Sequence, residues 1–224
     1  SERTIFYKID INGNEVYRYC LKNSKIFTIN KFNLRNECLK NHYTKQLFYL
    51  EGNSGIAHFI PMLNASRFVN NLYYIHRNNI KDNNIEDLNQ LIKDFKNIIY
   101  VLSVENLKEL NEVRNIINKI NPNIKILLFG PIPNAKNSYK AIMCFIRQIQ
   151  CYSKKIDDFN RRNLHKLNSS LINLSQNNNK IYIFQPYSFL CPNNNCVIYQ
   201  KKNDFLYYRD NQHLTREGSK ILLK

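Results

Sequence analysis

Two short segments near opposite ends of the chain carry residue types that could act together as one catalytic unit. The late segment places Asp210 and His213 three positions apart, directly after an aromatic run. A carboxylate can orient and charge-stabilise an imidazole, which then accepts a proton from a nucleophile. The early segment offers that nucleophile, because Ser54 lies in a glycine-flanked turn after an apolar run. The pattern predicts a serine nucleophile with a histidine base and an acidic partner.

The glycines beside Ser54 bear on the same chemistry. Gly52 and Gly55 permit a tight turn that exposes the serine hydroxyl and leaves the backbone N–H groups of Ser54 and Gly55 available to an oxyanion. A serine in such a turn is more often only a turn residue, and an isolated Asp-x-x-His is an equally weak signal. Because both occur together, in this order and on an alternating strand and helix pattern, we favour catalysis.

The hydrophobic pattern between these segments alternates strands with helices. Continuous apolar runs predict buried strands, and apolar positions three and four apart predict helices. The predicted strands cover residues 45–50, 72–76, 97–103, 124–129 and 180–184, and the predicted helices cover residues 56–68, 87–95, 107–120, 141–174 and 214–222. A break is expected near Cys151, and Pro61 must lie in the first turn of its helix or kink it.

This alternation predicts an α/β fold, namely a three-layer α/β/α sandwich around a central parallel sheet. In such sheets the active site lies beyond the carboxyl ends of the strands. Ser54 follows the first predicted strand at that edge, and the loop after Leu102 opens onto the same edge. We expect residues 45–224 to form this domain and residues 1–44 to form an extension docked on it.

The composition is that of a folded domain. Hydrophobic residues make up 43% of the 224-residue chain, which is enough to bury a full core and argues against disorder. No apolar stretch approaches the roughly 20 residues needed to cross a bilayer. The sequence starts at Ser1 and shows no signal peptide, so we expect a soluble piece of a longer protein.

The formal net charge of +16 would suit an anionic partner, such as nucleic acid, a lipid surface or an acidic polysaccharide. The basic residues are scattered along the chain, and no nucleic-acid-binding motif accompanies them, so we expect no nucleic-acid partner. The abundance of Asn, Lys and Ile is typical of proteins from AT-rich genomes and explains the charge without any partner.

The cysteines favour an oxidising compartment. Cys191 and Cys196 enclose a short loop of turn residues, which suits a local disulfide. Zinc would need further ligands at similar spacing, and none are nearby. Six cysteines allow fifteen pairings, and two further bridges are possible, between Cys20 and Cys38 and between Cys144 and Cys151. The alternative is six free thiols in a cytosolic protein.

Four segments of the sequence match the blocks of one known family. They read LEGNSGIAHFIPML at 50–63, IYVLSVEN at 99–106, LFGPIP at 128–133, and the closing block that runs from the loop at 191–196 to LYYRDNQHLTREG at 206–218. These segments resemble the SGNH (GDSL-like) hydrolase family, and more narrowly the SGNH domain fused to the C-terminus of acyltransferase family 3 membrane proteins. The similarity covers about residues 40–224, and it implies an SGNH/flavodoxin-like fold.

The resemblance carries residue roles only where the motifs match. It implies that Ser54 is the nucleophile, His213 the base and Asp210 its partner. The chain departs from the family at two positions, because Asn53 replaces an aspartate and Gly55 replaces the histidine that usually follows the serine. Neither position is a triad member, although both shape the loop.

The oxyanion hole is the part of the family pattern that matches least. The glycine and asparagine that supply it in other SGNH enzymes have no clear counterpart. Ser103 and Asn106 lie where that loop should be, and Asn106 is the candidate side-chain donor beside the backbone of Ser54 and Gly55.

The resemblance also implies a function. The domain would be an O-acetyltransferase that modifies a hydroxyl of a bacterial surface polysaccharide, such as the lipopolysaccharide O-antigen, through an acetyl-serine. It would hold no metal or tightly bound cofactor, and a membrane domain of the same parent chain would pass it acetyl derived from acetyl-CoA at the periplasmic face of the inner membrane. The alternatives are a carbohydrate O-acetylesterase, with water as acceptor, and an inactive glycan-binding module, which the changes at Asn53 and Gly55 make credible.

Overall fold

A computed structural model of the chain describes residues 46–52, 54–66, 72–76, 85–93, 95–134, 141–152, 158–208 and 213–223. The strands in these ranges are β1 Gln46–Gly52, β2 Leu72–His76, β3 Asn97–Ser103, β4 Lys125–Phe129, β5 Cys151–Tyr152, β6 Ile181–Phe184, β7 Val197–Gln200 and β8 Phe205–Leu206. The helices are α1 Ser54–Ala57, α2 Ile60–Ala65, α3 Ile85–Gln90, α4 Leu107–Ile117, α5 Ala141–Ile146, α6 Asp158–Gln176, α7 Pro186–Leu190 and α8 Arg216–Lys220.

Five of the strands form a parallel sheet in the order β2-β1-β3-β4-β6. Buried side chains cover both of its faces, which is why the strands read as continuous apolar runs. In β1, Phe48 and Leu50 pack with α1, α2 and α7, whereas Leu47 and Tyr49 pack with α3, α4 and α6. The predicted α/β/α sandwich with a central parallel sheet is therefore confirmed.

The sequence explains why α4 begins and ends where it does. Asn106 accepts a hydrogen bond from the backbone N–H of Glu109 at 3.0 Å and donates to the Glu109 carboxylate at 3.0 Å. The first of these bonds satisfies the Glu109 N–H, which the first turn of a helix otherwise leaves unpaired. The Glu109 carboxylate also accepts from the backbone N–H of Glu105 at 2.7 Å. The predicted stretch 107–120 ends as α-helix at Ile117, and a turn at Asn121-Pro122-Asn123 leads into β4.

Two predicted helices are interrupted in the structure. The stretch 56–68 divides at His58 and Phe59 into α1 and α2, and Pro61 lies in the first turn of α2, where a missing N–H costs nothing. The stretch 141–174 divides into α5, the short strand β5 and α6. Gln148 adopts a left-handed conformation with φ of 51°, which ends the helical path and lets the chain turn back to β5.

A second, antiparallel sheet in the order β5-β7-β8 lies outside the predicted pattern, as does α7. Its outer strands are two residues long, which is too short for a periodic hydrophobic signal. The disulfide between Cys144 and Cys151 closes the chain between α5 and β5, and the predicted disulfide between Cys191 and Cys196 is also formed. The possible bridge between Cys20 and Cys38 falls outside the described residues, as does the 1–44 extension.

The helices in the described part of the chain lack the length or the apolar character needed to cross a bilayer. The longest of them, α6, carries polar residues along most of its surface and buries Leu167 and Leu171 against the sheet.

Candidate active site

A cleft of about 280 Å³ opens at the carboxyl edge of the parallel sheet. Four separate segments line it, through Gly55 in α1, Ser103 at the end of β3, Gly130 after β4 and His213 near the C-terminus. The chain leaves β1 for α1 and α2 on one face of the sheet, whereas α4 follows β3 onto the other face. The loops after β1 and β3 therefore diverge, and this divergence creates the crevice in which open α/β sheets bind ligands.

The segment that carries the predicted nucleophile enters this cleft directly from the sheet. β1 ends at Gly52, Ser54 is the first residue of α1, and Gly55 lines the cleft. A Cβ atom on Gly52 would lie 3.3 Å from the Ile56 side chain, so glycine lets β1 and α1 approach closely. Asn53 and the side chain of Ser54 lie outside what the structure describes, and the nucleophile role of Ser54 stays a prediction.

An aromatic side chain lines part of the cleft. Phe59 lines it and stacks on Phe129, the last residue of β4, with ring centroids 3.8 Å apart. Both rings are buried. Phe59 thus gives the cleft one aromatic side chain, backed by Phe129, beside polar lining residues.

The loop that carries His213 is closed at its base by the pairing of Tyr208 with Leu214. Both residues are buried, and the Tyr208 hydroxyl donates to the Pro133 carbonyl at 3.0 Å. Burial raises the pKa of Tyr208, so its hydroxyl keeps the proton that makes this bond. His213 is half-buried and reaches the cleft. Asp210 lies outside the described residues, and its role as the acidic partner stays a prediction.

Helix α8 follows this loop and packs against the segments on either side of it. Thr215 caps the helix by accepting from the Gly218 N–H at 2.9 Å, and its own N–H donates to the Tyr207 carbonyl at 2.9 Å. The Ser219 hydroxyl donates to the His58 carbonyl and accepts from the Met62 N–H. Helix α8 is therefore joined to His58 and to α2 by buried hydrogen bonds.

His58 is a residue of the site that the sequence did not reveal. The structure buries it, with 3% of its surface exposed. Its ring lies 4.9 Å from the His213 ring between centroids, and its Nδ1 accepts from the Leu214 N–H at 3.4 Å. No spacing in the sequence marks it, because His58 lies in the turn between α1 and α2 and reaches the site through contacts with the C-terminal segment.

Glu105 also lines the cleft, two residues after β3. Partial removal from water raises the pKa of its carboxyl, the nearby Glu109 carboxylate raises it further, and His213 lowers it. The residue as a whole still exposes more than a third of its surface, so water continues to screen its interaction with His213. Glu105 and the predicted base His213 thus line the same cleft and interact electrostatically.

Asn106, the predicted side-chain donor of the oxyanion hole, is absent from the residues that line the cleft. Its side chain is engaged with Glu109 at the start of α4. Its oxyanion role stays a prediction that this geometry does not favour, and the backbone at Gly55 lies closer to the site.

Comparison with known proteins places the chain in one family. None of the curated proteins shows significant similarity to it. The family model for the SGNH domain (fused to AT3 domains) matches residues 26–224, which is most of the chain and includes every segment of the cleft. Members of this family are hydrolase-like modules for acyl or acetyl transfer. The chain belongs to the family of SGNH domains that are fused to AT3 domains.

Proposed function

We propose that this domain is an O-acetyltransferase that transfers an acetyl group to a hydroxyl of a bacterial surface polysaccharide. The observation that carries the proposal is the meeting of Gly55 and His213 in one cleft. These residues belong to the motifs at opposite ends of the sequence that contain Ser54 and Asp210. Their convergence supports a triad of Ser54, His213 and Asp210.

The chemistry follows from these assignments. The Ser54 hydroxyl attacks the carbonyl carbon of an acetyl donor while His213 accepts the hydroxyl proton. The tetrahedral oxyanion collapses, the donor's leaving group takes the proton from His213, and an acetyl-serine remains. A sugar hydroxyl then attacks the acetyl-serine with His213 again as base, which releases the acetylated sugar and restores Ser54. Backbone N–H groups at the start of α1 are the donors best placed for the oxyanion.

The size of the cleft suits a small acyl group. Its volume of about 280 Å³ is slightly below the roughly 300–1,000 Å³ that is typical of ligand pockets. An acetyl group would place its methyl against Phe59, with the ester near the polar side chains that line the cleft. The remainder of a polysaccharide would extend outside the cleft.

The parent protein would supply the donor. The family is that of SGNH domains fused to AT3 domains, and a membrane acyltransferase domain in the same parent chain would deliver acetyl derived from acetyl-CoA. The SGNH domain would then work at the periplasmic face of the inner membrane on a polysaccharide such as the lipopolysaccharide O-antigen.

The test is acetylation of surface polysaccharide in cells that carry the full-length parent protein. Ser54→Ala removes the predicted nucleophile, and Ser188→Ala is the matched control, because Ser188 is exposed and is not among the residues that line the cleft. We expect the first variant to abolish O-acetylation, measured by NMR of the purified glycan, and the second to retain it. Equal acetylation in both variants, at equal protein levels, would refute the proposal.

An esterase is the second candidate, because the partly exposed His213 and Glu105 leave the mouth of the cleft accessible to water. Incubating the 224-residue chain with an aryl acetate, with and without glycan, separates the two activities. Acetylated glycan indicates transfer, whereas release of acetate alone at an unchanged rate indicates an esterase.

A further inference from the structure

Apart from the cleft, the molecule has an exposed apolar segment at residues 143–152, which we call the apolar tip. This stretch contains half of the exposed large hydrophobic side chains of the described residues, and Ile146 is the most exposed of them at 65%. The other members of this set in the tip are Met143, Phe145, Ile149 and Tyr152. Isolated surface hydrophobics are common, but a cluster of this kind in one short segment marks an interaction site.

The tip is held in place rather than left as a free loop. The disulfide between Cys144 and Cys151 closes it, and Cys144 is buried in the core. The side chain of Gln150 donates to the Tyr199 carbonyl at 2.9 Å and accepts from the Lys201 N–H at 3.2 Å. The Phe145 ring packs edge-on against Tyr199 with centroids 6.0 Å apart. These contacts fix the backbone while the apolar side chains point to solvent.

Basic residues accompany the apolar tip. Arg147 lies within it, and Lys201 and Lys202 lie in the turn after β7 that the tip contacts through Gln150. All three are exposed. The carboxylate of Asp204 in this turn accepts hydrogen bonds from Tyr199 and Gln148. The described part of this surface therefore combines protruding hydrophobic side chains with an excess of positive charge, on a chain whose net charge is +16.

We propose that residues 143–152, together with the turn 201–204, dock this domain on the headgroup region of an anionic lipid bilayer. The apolar side chains of the tip enter the boundary between headgroups and acyl chains, and the basic side chains contact lipid phosphates. Charge complementarity favours a lipid surface over a purely apolar protein groove, which would leave the three cations without counterions. Fusion to AT3 domains in this family, which we propose to be membrane domains, would hold the tip close to a lipid bilayer. The proposal is independent of the proposed acetyl transfer.

The absence of tryptophan from the chain makes insertion directly measurable, because a single introduced tryptophan is the sole indole. Ile146→Trp places the probe at the apex of the tip. Ile172→Trp is the matched control, because Ile172 is also an exposed isoleucine, at 41%, but lies in α6 and not in the tip. Both variants of the 224-residue chain are mixed with vesicles of phosphatidylcholine alone or with phosphatidylglycerol, after thermal denaturation has shown that they fold as the wild type does.

With phosphatidylglycerol vesicles, we expect a blue-shifted emission at position 146 and strong quenching by lipids brominated on the acyl chain. Position 172 should show neither effect. Replacing Ile146 and Ile149 by serine should weaken vesicle binding at least about tenfold, as expected when two apolar anchors are lost, whereas Ile172→Ser should not. Co-sedimentation with an unshifted probe at 146 would mean electrostatic adsorption only and would overturn the proposal. No binding to protein-free vesicles would overturn it as well, and would assign the tip to a protein partner.

Discussion

Replacing Gly218 by alanine tests whether the His213 loop depends on the close approach of α8 to the Tyr207 backbone. A Cβ atom at position 218 would lie 2.0 Å from the Tyr207 carbonyl oxygen and 2.8 Å from its carbonyl carbon. Carbon atoms of side chains essentially never come within 3.0 Å of such neighbours, so α8 and Tyr207 must separate by about 1 Å. Because the obstructing atoms are backbone, no side chain can rotate away to relieve the contact.

The expected loss of stability follows from the contacts that this separation disturbs. Overpacking costs about 1–3 kcal/mol, and loss of the Thr215 cap, whose oxygen accepts from the residue 218 N–H at 2.9 Å, costs about 1 kcal/mol. The better helix propensity of alanine restores up to about 1 kcal/mol. The variant should therefore be less stable by roughly 1–3 kcal/mol, which lowers Tm by roughly 2–12 °C in a chain of this size.

Gly130→Ala is the matched control. The nearest atom to its added Cβ would lie 3.6 Å away, an ordinary contact, and alanine restricts the unfolded chain, so stability should be unchanged or rise by up to about 1 kcal/mol. Thermal and urea denaturation followed by circular dichroism measure both variants. A Gly218→Ala protein as stable as the wild type, or an equal loss in both variants, would refute the account of the α8 contact.

Two further substitutions probe the cleft. His58→Asn keeps an acceptor near the Leu214 N–H, whereas His58→Leu, of nearly the same shape, leaves that buried N–H unpaired. We expect the leucine variant to lower kcat by up to about 100-fold, because His213 is displaced, with KM little changed. The kcat of the asparagine variant should be substantially closer to that of the wild type. Equal loss in both would contradict a positioning role. The pKa of the Glu105 carboxyl is raised in the folded state above its ordinary value of 4.5. The protonated carboxyl therefore contributes to stability at pH values below 4.5, and this contribution is lost as the pH rises through the folded-state pKa. Glu105→Gln should therefore gain stability relative to wild type between about pH 4 and pH 8 in paired urea denaturations, and a constant difference across that range would contradict the shift.

The central sheet was predictable because its strands are buried on both faces. β3 matches its predicted bounds of 97–103, since Ile98 to Leu102 form a continuous apolar run that only a buried strand explains at this length. β1 and β4 agree to within one or two residues for the same reason. The small sheet was not predictable, because β5 and β8 are two residues long and depend on tertiary hydrogen bonds.

The site was predictable only where a motif carried it. The two terminal motifs led to Gly55 and His213, which line one cleft. His58 and Glu105 lie in the site because segments far apart in the chain pack together. The local spacing of residues in the sequence does not predict such packing. Asn106 shows the opposite problem, because a polar residue after a strand can serve a ligand or cap the next helix, and here its side chain caps α4.

The rate at which a serine-directed sulfonyl fluoride modifies Ser54 tests the central claim most directly. Peptide mass spectrometry follows the modification in the wild type, in His213→Asn and in His165→Asn, whose exposed histidine on α6 makes it the control. If His213 is the base for Ser54, the reagent should modify Ser54 selectively, and His213→Asn should slow the reaction by about 10²–10⁴-fold while His165→Asn leaves it unchanged. Modification of Ser54 at the same rate without His213, or of several exposed serines with no preference for Ser54, would contradict the claim.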